Sequence, residues 1–181
     1  VTYKLRRLYD GALSAVTYEV EPLLDILRSR FQCCTPRGVL LLGSEALTHK
    51  CNLLAFVFRK LGLPVLKRVP DPLLFSGADY VPCGAQLCLF GTGAATSDAA
   101  LRWMLKKDVL GHRRVAVVRD LFDRHPERRC LDMVLKVVDT RCVLVLDDIL
   151  GADNPRRRLV DEWVCVAPKQ YRLDAHGVEL G

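Results

Sequence analysis

The chain has 181 residues, of which 50% are hydrophobic and 27% charged, and its net charge at pH 7 is +6. This composition is typical of a globular protein with an apolar core. Its apolar runs, such as residues 39–42 and 143–146, are much shorter than the roughly 20 residues that cross a bilayer, which argues against a membrane protein; no secretory signal pattern opens the chain.

The first elements follow a strand and helix alternation. Apolar residues at helical spacing predict a helix over residues 19–31, and a buried strand follows at residues 39–43. Residues 46–61 predict a second helix and residues 64–69 a returning strand. The buried face of the second helix is expected to carry four residues: Leu47, Leu54, Phe58 and Leu61.

The same order then recurs. Residues 80–83 and 86–91 predict two short strands, Ser97 is a good N-cap for a helix that runs to Lys107, and residues 115–118 form a returning strand. A third round begins with strands at residues 131–138 and 142–146. A polar stretch leads from there to a strand over residues 159–166, and residues 177–180 predict a strand fragment.

This repetition, with a period of roughly 40 to 50 residues, favours ββαβ units stacked around an axis. We therefore predict one α/β domain over residues 1–181, of the β/α-propeller kind. An open flavodoxin-like sheet is the alternative. That fold predicts a glycine-rich phosphate loop after its first strand, and Gly43-Ser44-Glu45 lacks the further glycines.

The cysteines and histidines do not form a recognisable metal or disulfide pattern. Cys33 and Cys34 are adjacent, no C-x-x-C pair occurs among the eight cysteines, and the four histidines are scattered. We expect reduced, mostly buried thiols that behave as small hydrophobic groups, in a reducing compartment. No metal site or cofactor is expected.

The basic residues form local clusters, and a pI of about 9.0 supports attraction to a polyanion. We interpret seven of these residues as candidate contacts for RNA or an acidic partner: Arg113, Arg114, Arg128, Arg129, Arg156, Arg157 and Arg158. A solvated surface is the alternative interpretation. Few aromatic residues interleave these clusters, so any RNA binding there is expected to be electrostatic and largely independent of sequence.

Several stretches resemble the guanidine-modifying superfamily, which includes dimethylarginine dimethylaminohydrolase and arginine deiminase. Residues 37–69 resemble one of its blades. Gly77-Ala78-Asp79 and Ala95-Thr96-Ser97 are similar to its Gly-Gly-Asp and Arg-Thr-Asn motifs, and Cys130-Leu131-Asp132 resembles its catalytic His-Leu-Asp. The resemblance covers residues 38–148 and implies a five-bladed β/α propeller, which this chain need not complete.

The resemblance also implies what the chemistry would require. In the family a cysteine attacks the guanidinium carbon, a histidine transfers protons and carboxylates hold the cationic substrate. Here nothing after Cys165 resembles the nucleophile segment, and Asp25 is the nearest counterpart of the upstream acidic motif. We predict a non-catalytic member in which Cys130 replaces the histidine and Ala95 the arginine. The relic active-site positions are then Asp79, Ala95, Cys130 and Asp132.

Among members of the superfamily, the chain most resembles the dimethylarginine-dimethylaminohydrolase-like subunit of the trypanosomatid mitochondrial RNA-editing substrate-binding complex. That resemblance implies a location in the mitochondrial matrix, other subunits of the complex as partners, and guide RNA or mRNA as a ligand to be tested. Assembly with itself or with other chains is compatible with it. The alternatives are an active hydrolase or amidinotransferase seen as an incomplete chain, and a scaffolding subunit without RNA contact.

Overall fold

The computed structural model describes residues 2–9, 12–19, 29–43, 48–139 and 141–180. Within these residues the fold is mixed α/β, with two α-helices and with strands in four separate sheets. No helix in the described part of the chain is long and apolar enough to span a membrane.

The described N-terminal residues form an antiparallel hairpin of β1 (Thr2–Tyr9) and β2 (Ala12–Glu19). Sequence patterns did not indicate this hairpin. Most of the helix predicted over residues 19–31 lies outside the described residues, and its last three residues, Ser29–Phe31, form a 3₁₀ turn.

The first ββαβ unit contains β3 (Gln32–Thr35), β4 (Gly38–Leu42), α1 (Thr48–Lys60) and β5 (Val65–Val69). β3 pairs antiparallel with β4, and α1 carries the chain back so that β5 lies parallel to β4. An apolar cluster holds α1 on this sheet: Phe31, Val39, Leu41, Leu54 and Ala55.

The predicted buried face of α1 is partly right. Leu54 is buried and Phe58 is partly buried, and Cys51 lies on the same face. Leu61 is 68% exposed, because the helix has already ended at that point. Leu47 lies outside the described residues.

The second unit repeats this topology with β6 (Tyr80–Pro82), β7 (Leu87–Thr92), α2 (Asp98–Lys107) and β8 (Arg114–Arg119). β6 and β7 are antiparallel, and β8 is parallel to β7. Ser97 caps α2 as predicted, and its hydroxyl oxygen accepts the N–H of Ala100 at 3.2 Å.

The main core lies between α2 and this second sheet. Apolar side chains of α2 contact those of β7 and β8 in one cluster that includes Phe90, Leu101, Met104, Val115 and Val117. The helix therefore covers the middle strands of the sheet.

The third part of the chain departs from the predicted repeat. β9 (Leu135–Asp139) and β10 (Cys142–Val145) form a hairpin, but β11 (Leu159–Ala167) pairs with β8 and β12 (Gln170–Glu179) pairs with β11. The second sheet therefore has the order β12-β11-β8-β7-β6. No α-helix lies between β10 and β11 in the described residues, because the polar stretch 151–158 offers no apolar face.

These pairings also exclude an open flavodoxin-like sheet for the described residues. The parallel pairs β4/β5 and β7/β8 lie in different sheets. Instead, each of the two sheets that contain these parallel pairs has a hairpin followed by a helix and a parallel strand, which is the ββαβ repetition that the sequence predicted.

Candidate functional site

The carboxyl group of Asp79 lies where three distant segments meet. Its Oδ2 accepts a hydrogen bond from the hydroxyl of Thr96 at 2.5 Å, and its Oδ1 accepts one from the N–H of Leu131 at 2.8 Å. Asp79 precedes β6, Thr96 precedes α2 and Leu131 opens a 3₁₀ turn before β9. The segments singled out by their sequence motifs are therefore adjacent in space.

This junction depends on two neighbouring residues. Thr96 Oγ1 also accepts the N–H of Ser76 at 3.0 Å, which ties the turn before β6 to the start of α2. Gly91, in β7, leaves the space that Asp79 occupies: a Cβ atom there would lie 2.5 Å from Asp79 Oδ1 and 3.0 Å from the Cβ of Leu131. Any other residue at position 91 would displace the junction.

Burial dominates the electrostatics of this junction. Asp79 is only 2% exposed. Desolvation raises the pKa of its carboxyl group to about 7, with smaller contributions from Asp132 and Asp120, while the hydrogen bonds from Thr96 and Leu131 act in the opposite direction. The carboxyl group therefore keeps its proton to a much higher pH than an exposed aspartate does.

The sequence predicted a strand over residues 131–138, directly after Cys130. In the structure Cys130 instead precedes the 3₁₀ turn Leu131–Met133, and β9 begins only at Leu135. Its buried Sγ lies 3.7 Å from the hydroxyl oxygen of Ser76. Burial, and then the proximity of Asp79, raise the pKa of the thiol, whereas an activated nucleophile requires a lowered one.

Cys130 and Ala95 line the same open cavity of about 290 Å³. The described residues around it also include Arg30, Phe31, Leu42, Phe75, Ser76, Ala94 and Arg129. The charged members of this described lining are both arginines, so it presents neither a carboxylate nor an imidazole. A cationic guanidinium ligand would meet like charge in this cavity.

The remaining predicted relic position is less central. Asp132 is partly buried and does not belong to the described lining of this cavity. Asp25, the nearest sequence counterpart of the upstream acidic motif, lies outside the described residues.

The structure corrects the prediction for Arg158. This residue is 2% exposed and donates hydrogen bonds to the buried carboxylates of Asp120 and Asp123 and to the carbonyl oxygen of Arg128. Asp120 also accepts the backbone N–H groups of the following loop. Arg158 therefore belongs to the interior because it neutralises buried acids, and it cannot be a surface contact for RNA.

Several of the other candidate arginines have local partners. Arg128 binds Asp123 with two hydrogen bonds, of 2.8 and 3.1 Å, and these bonds lower the pKa of Asp123. Arg114 pairs with Glu162 at 2.5 Å and Arg156 with Asp148 at 2.7 Å.

Arg157 lies with its guanidinium carbon 4.3 Å from the ring centre of Phe122. Arg113 and Arg129 are exposed. The seven candidates therefore do not form one continuous basic surface in the described structure.

No group of three or more His, Cys, Asp or Glu side chains in the described ranges is arranged to hold a metal ion. All eight cysteines are free thiols. The expectation that they are mostly buried is partly right, since four are buried: Cys33, Cys51, Cys88 and Cys130.

A profile of the arginine deiminase family matches residues 58–170, which is more than half of the chain. The chain belongs to the arginine deiminase family. The matched region runs from the end of α1 to the start of β12 and contains Asp79, Thr96, Cys130 and Leu131. No curated protein sequence matches the chain.

Solved structures of similar fold include dimethylarginine dimethylaminohydrolases. A cysteine-to-serine mutant of the Pseudomonas aeruginosa enzyme, complexed with citrulline, is 19% identical and has a TM-score of 0.50. The match covers 65% of this chain and 44% of that one. A histidine-to-glycine variant bound to S-methyl-L-thiocitrulline is 17% identical, with a TM-score of 0.53 and coverage of 69% and 48%.

At these identities the likeness establishes the fold of the shared region. The chain spans less than half the length of either solved structure. The arginine deiminase family member described here therefore shares part of that architecture.

Sequence reasoning missed several residues that build the junction and the cavity. Ser76 donates its backbone N–H to Thr96, and Gly91 leaves room for the carboxyl group of Asp79. Arg30 lines the cavity from a segment with no recognised motif. Thr96 is the residue of Ala95-Thr96-Ser97 that matches the threonine of the family's Arg-Thr-Asn motif, and that match is the signal that could have identified it.

Proposed function

We propose that this chain is a non-catalytic member of the arginine deiminase family that acts by binding. The observation that carries the proposal is the cavity beside Cys130, whose described lining has Arg30 and Arg129 but no carboxylate. The family chemistry, as the resemblance implies it, requires carboxylates for a cationic substrate and an imidazole for proton transfer. A buried, protonated thiol at position 130 supplies neither.

The hydrogen bonds of Asp79 are compatible with the same proposal. Asp79 joins three motif segments, and a fold can keep its packing after its chemistry has been lost. In this interpretation the role of Asp79 is structural, because it links the segments that contain Thr96 and Leu131. The two ββαβ units are then blades of a β/α propeller, in keeping with the fold of the dimethylarginine dimethylaminohydrolase structures.

We place this binding function in a mitochondrial RNA-editing complex. The sequence resemblance described above and the net charge of +6 support that context. Other subunits of the complex would be its partners in the matrix, and guide RNA or mRNA would be a ligand. Purification of the tagged protein from mitochondria, with identification of the bound proteins and RNA, tests this assignment. Recovery without editing subunits or RNA would contradict it.

The absence of hydrolysis is tested directly with arginine, dimethylarginine and agmatine. We expect no ureido product, such as citrulline, above the buffer background, because Cys130 is protonated and the charged residues of the described cavity lining are arginines. The matched control is Cys130→Ala. Product formation by the native chain that disappears in Cys130→Ala would show that the chain is an active hydrolase.

A further inference from the structure

A groove runs between α2 and the outer strands of the second sheet. α2 has ten residues and covers the middle of a sheet to which β11 and β12 have been added. Trp163 of β11 and Tyr171 of β12 are only partly buried against the core. The outer strands therefore extend beyond the cover that α2 provides.

Two cavities make up this groove, with volumes of about 480 and 330 Å³. Arg102 and Trp163 line both of them, so the cavities are contiguous. Each volume lies in the range of roughly 300–1,000 Å³ that ligand sites occupy. Together they form one site in which Trp163 is shared by the two cavities.

Most of the charged side chains in the described lining of the groove are cations. Arg102 and Arg119 line the first cavity, and Lys106 and Lys169 line the second together with Arg102. Arg102, Lys106 and Lys169 form no ion pair with another described residue. This distinguishes them from Arg114, Arg128 and Arg156, which have carboxylate partners.

Two carboxylates also line the groove, and they differ in availability. Asp161 is buried and occupied, since it contacts Arg119 at 3.3 Å, His176 Nδ1 at 2.8 Å and the N–H of Gly177 at 2.8 Å. Asp98 is 54% exposed and lies 3.8 Å from Arg119. The described groove therefore retains an excess of positive charge.

We propose that this groove binds single-stranded RNA, with phosphates at Arg102, Lys106 and Lys169 and a base stacked on Trp163. Proteins bind single-stranded nucleic acids by combining cations that contact the phosphates with aromatic side chains on which the bases stack. The proposal deepens the binding function proposed above by naming its surface. It replaces the basic clusters predicted from the sequence as the principal contact. An acidic protein would use the cations but has no need of the indole.

The first experiment measures the anisotropy of a fluorescein-labelled 20-nucleotide oligouridylate against the whole chain at low salt. Arg102→Glu combined with Lys106→Glu should weaken binding about tenfold or more and flatten the salt dependence, because phosphate contacts release counterions. The matched control is Arg59→Glu combined with Lys60→Glu, which makes the same charge change on α1. Both pairs are exposed on helices, where glutamate is well tolerated.

The second experiment follows the indole. In a Trp103→Phe variant, Trp163 is the remaining tryptophan, and the oligouridylate should quench its emission with the affinity found by anisotropy. Uridine monophosphate at the same phosphate concentration should produce no saturable quenching. Equal affinity for the mononucleotide would overturn RNA as the ligand, and equal competition by polyglutamate would indicate an acidic protein.

The outcomes separate this inference from the proposed function. If RNA binds but the groove variant and the control lose affinity equally, the groove is the wrong surface, whereas binding as a function stands. If no RNA binds at low salt, the inference is overturned, and the hydrolysis assay still decides separately whether the chain is catalytic.

Discussion

At Asp79, one carboxyl group connects segments that are 17 and 52 residues away in sequence. Its two oxygen atoms accept hydrogen bonds on both sides, so the group is satisfied as a carboxylate. It is also satisfied when protonated, because Thr96 Oγ1 lies 3.5 Å from the carbonyl oxygen of Ser76 and can donate there instead. The junction therefore tolerates either protonation state, while burial favours the neutral one.

The raised pKa of Asp79 makes stability depend on pH. In the unfolded chain this carboxyl group has its ordinary pKa of 3.8, and in the folded chain its pKa is raised to about 7. Between these values the free energy of unfolding falls as pH rises, by about 1.4 kcal/mol per pH unit. Asp79→Asn mimics the neutral acid and removes this contribution. From pH 5 to pH 8 the native chain should lose about 2–3 kcal/mol more than the variant.

Chemical denaturation of both proteins at pH 5 and pH 8 measures the difference. Asp153→Asn, which changes an exposed carboxylate, is the control and should keep the pH dependence of the native chain. If Asp79→Asn also keeps it, Asp79 is not the buried titrating group.

Thr96→Val tests the hydroxyl that completes the junction. The change preserves shape but leaves both Asp79 Oδ2 and the N–H of Ser76 without this partner. We expect a loss of about 1–3 kcal/mol in the free energy of unfolding. Thr92→Val is a close control, because Thr92 is also buried and its hydroxyl forms no hydrogen bond with any described residue. Equal losses in the two variants would mean that the junction contributes nothing specific.

At the scale of elements, α1 shows that the hydrophobic period of a helix does not determine where the helix ends. Leu54 and Leu61 are seven residues apart and share a helical face by spacing. Only Leu54 is buried, because the helix ends at Lys60 and the chain turns at Gly62 with a φ of 74°. Periodicity located the face correctly but could not fix the last turn.

Truncation of these two leucines should therefore have different consequences. Leu54→Ala removes a side chain packed in a closed cluster and should cost about 2–5 kcal/mol of unfolding free energy. Leu61→Ala should change it by less than about 0.5 kcal/mol, as is usual for exposed positions. Equilibrium urea denaturation measures both, and similar losses would contradict the described end of α1.

The ion cluster around Arg158 attaches the loop after β8 to the start of β11. Arg158→Met would leave the buried carboxylate of Asp120 without its cation. We expect a loss of about 3–5 kcal/mol, the usual cost of removing one partner from a buried ion pair. Arg156→Met breaks an exposed pair and should cost less than about 1 kcal/mol. Thermal and urea denaturation of the two variants measure these losses. Equal stability of Arg158→Met and Arg156→Met would contradict the prediction.

For the whole molecule, the sequence predicted what is local. The second ββαβ unit, and β4, α1 and β5 of the first, follow from strand and helix periodicity, the Ser97 cap and glycine-containing turns, because these signals act within a few residues. The strand β3 was not predicted, because residues 33–38 were interpreted as a break before β4. The motifs also selected the segments that meet at Asp79. The pairing of β11 with β8 was not predictable in this way, because it depends on which sheet offers an open edge once the polar segment 151–158 has failed to form a helix.

Charge was the least predictable property. Adjacent arginines in the sequence suggested a common surface, but the fold distributes them between buried acids, local carboxylates and an aromatic ring. Conversely, Arg102 and Lys106 lie one turn apart on α2, whereas Lys169 is distant in the sequence and joins them only because β11 and β12 extend the sheet beside α2. Proximity of this kind arises from tertiary structure.

The pairing of β8 with β11 has a consequence for how the chain is made. β8 ends at Arg119 and β11 begins at Leu159, so during synthesis one edge of the second sheet must wait for a segment that leaves the ribosome later. The two ββαβ units can form from nearby residues, whereas this contact closes a long loop, and such non-local pairing slows folding. Until β11 arrives, the backbone groups on the outer side of β8 can recruit strands from other chains. In the interval between synthesis of these two strands, the open edge of β8 exposes the nascent protein to aggregation, and a chaperone that covers this edge would protect it.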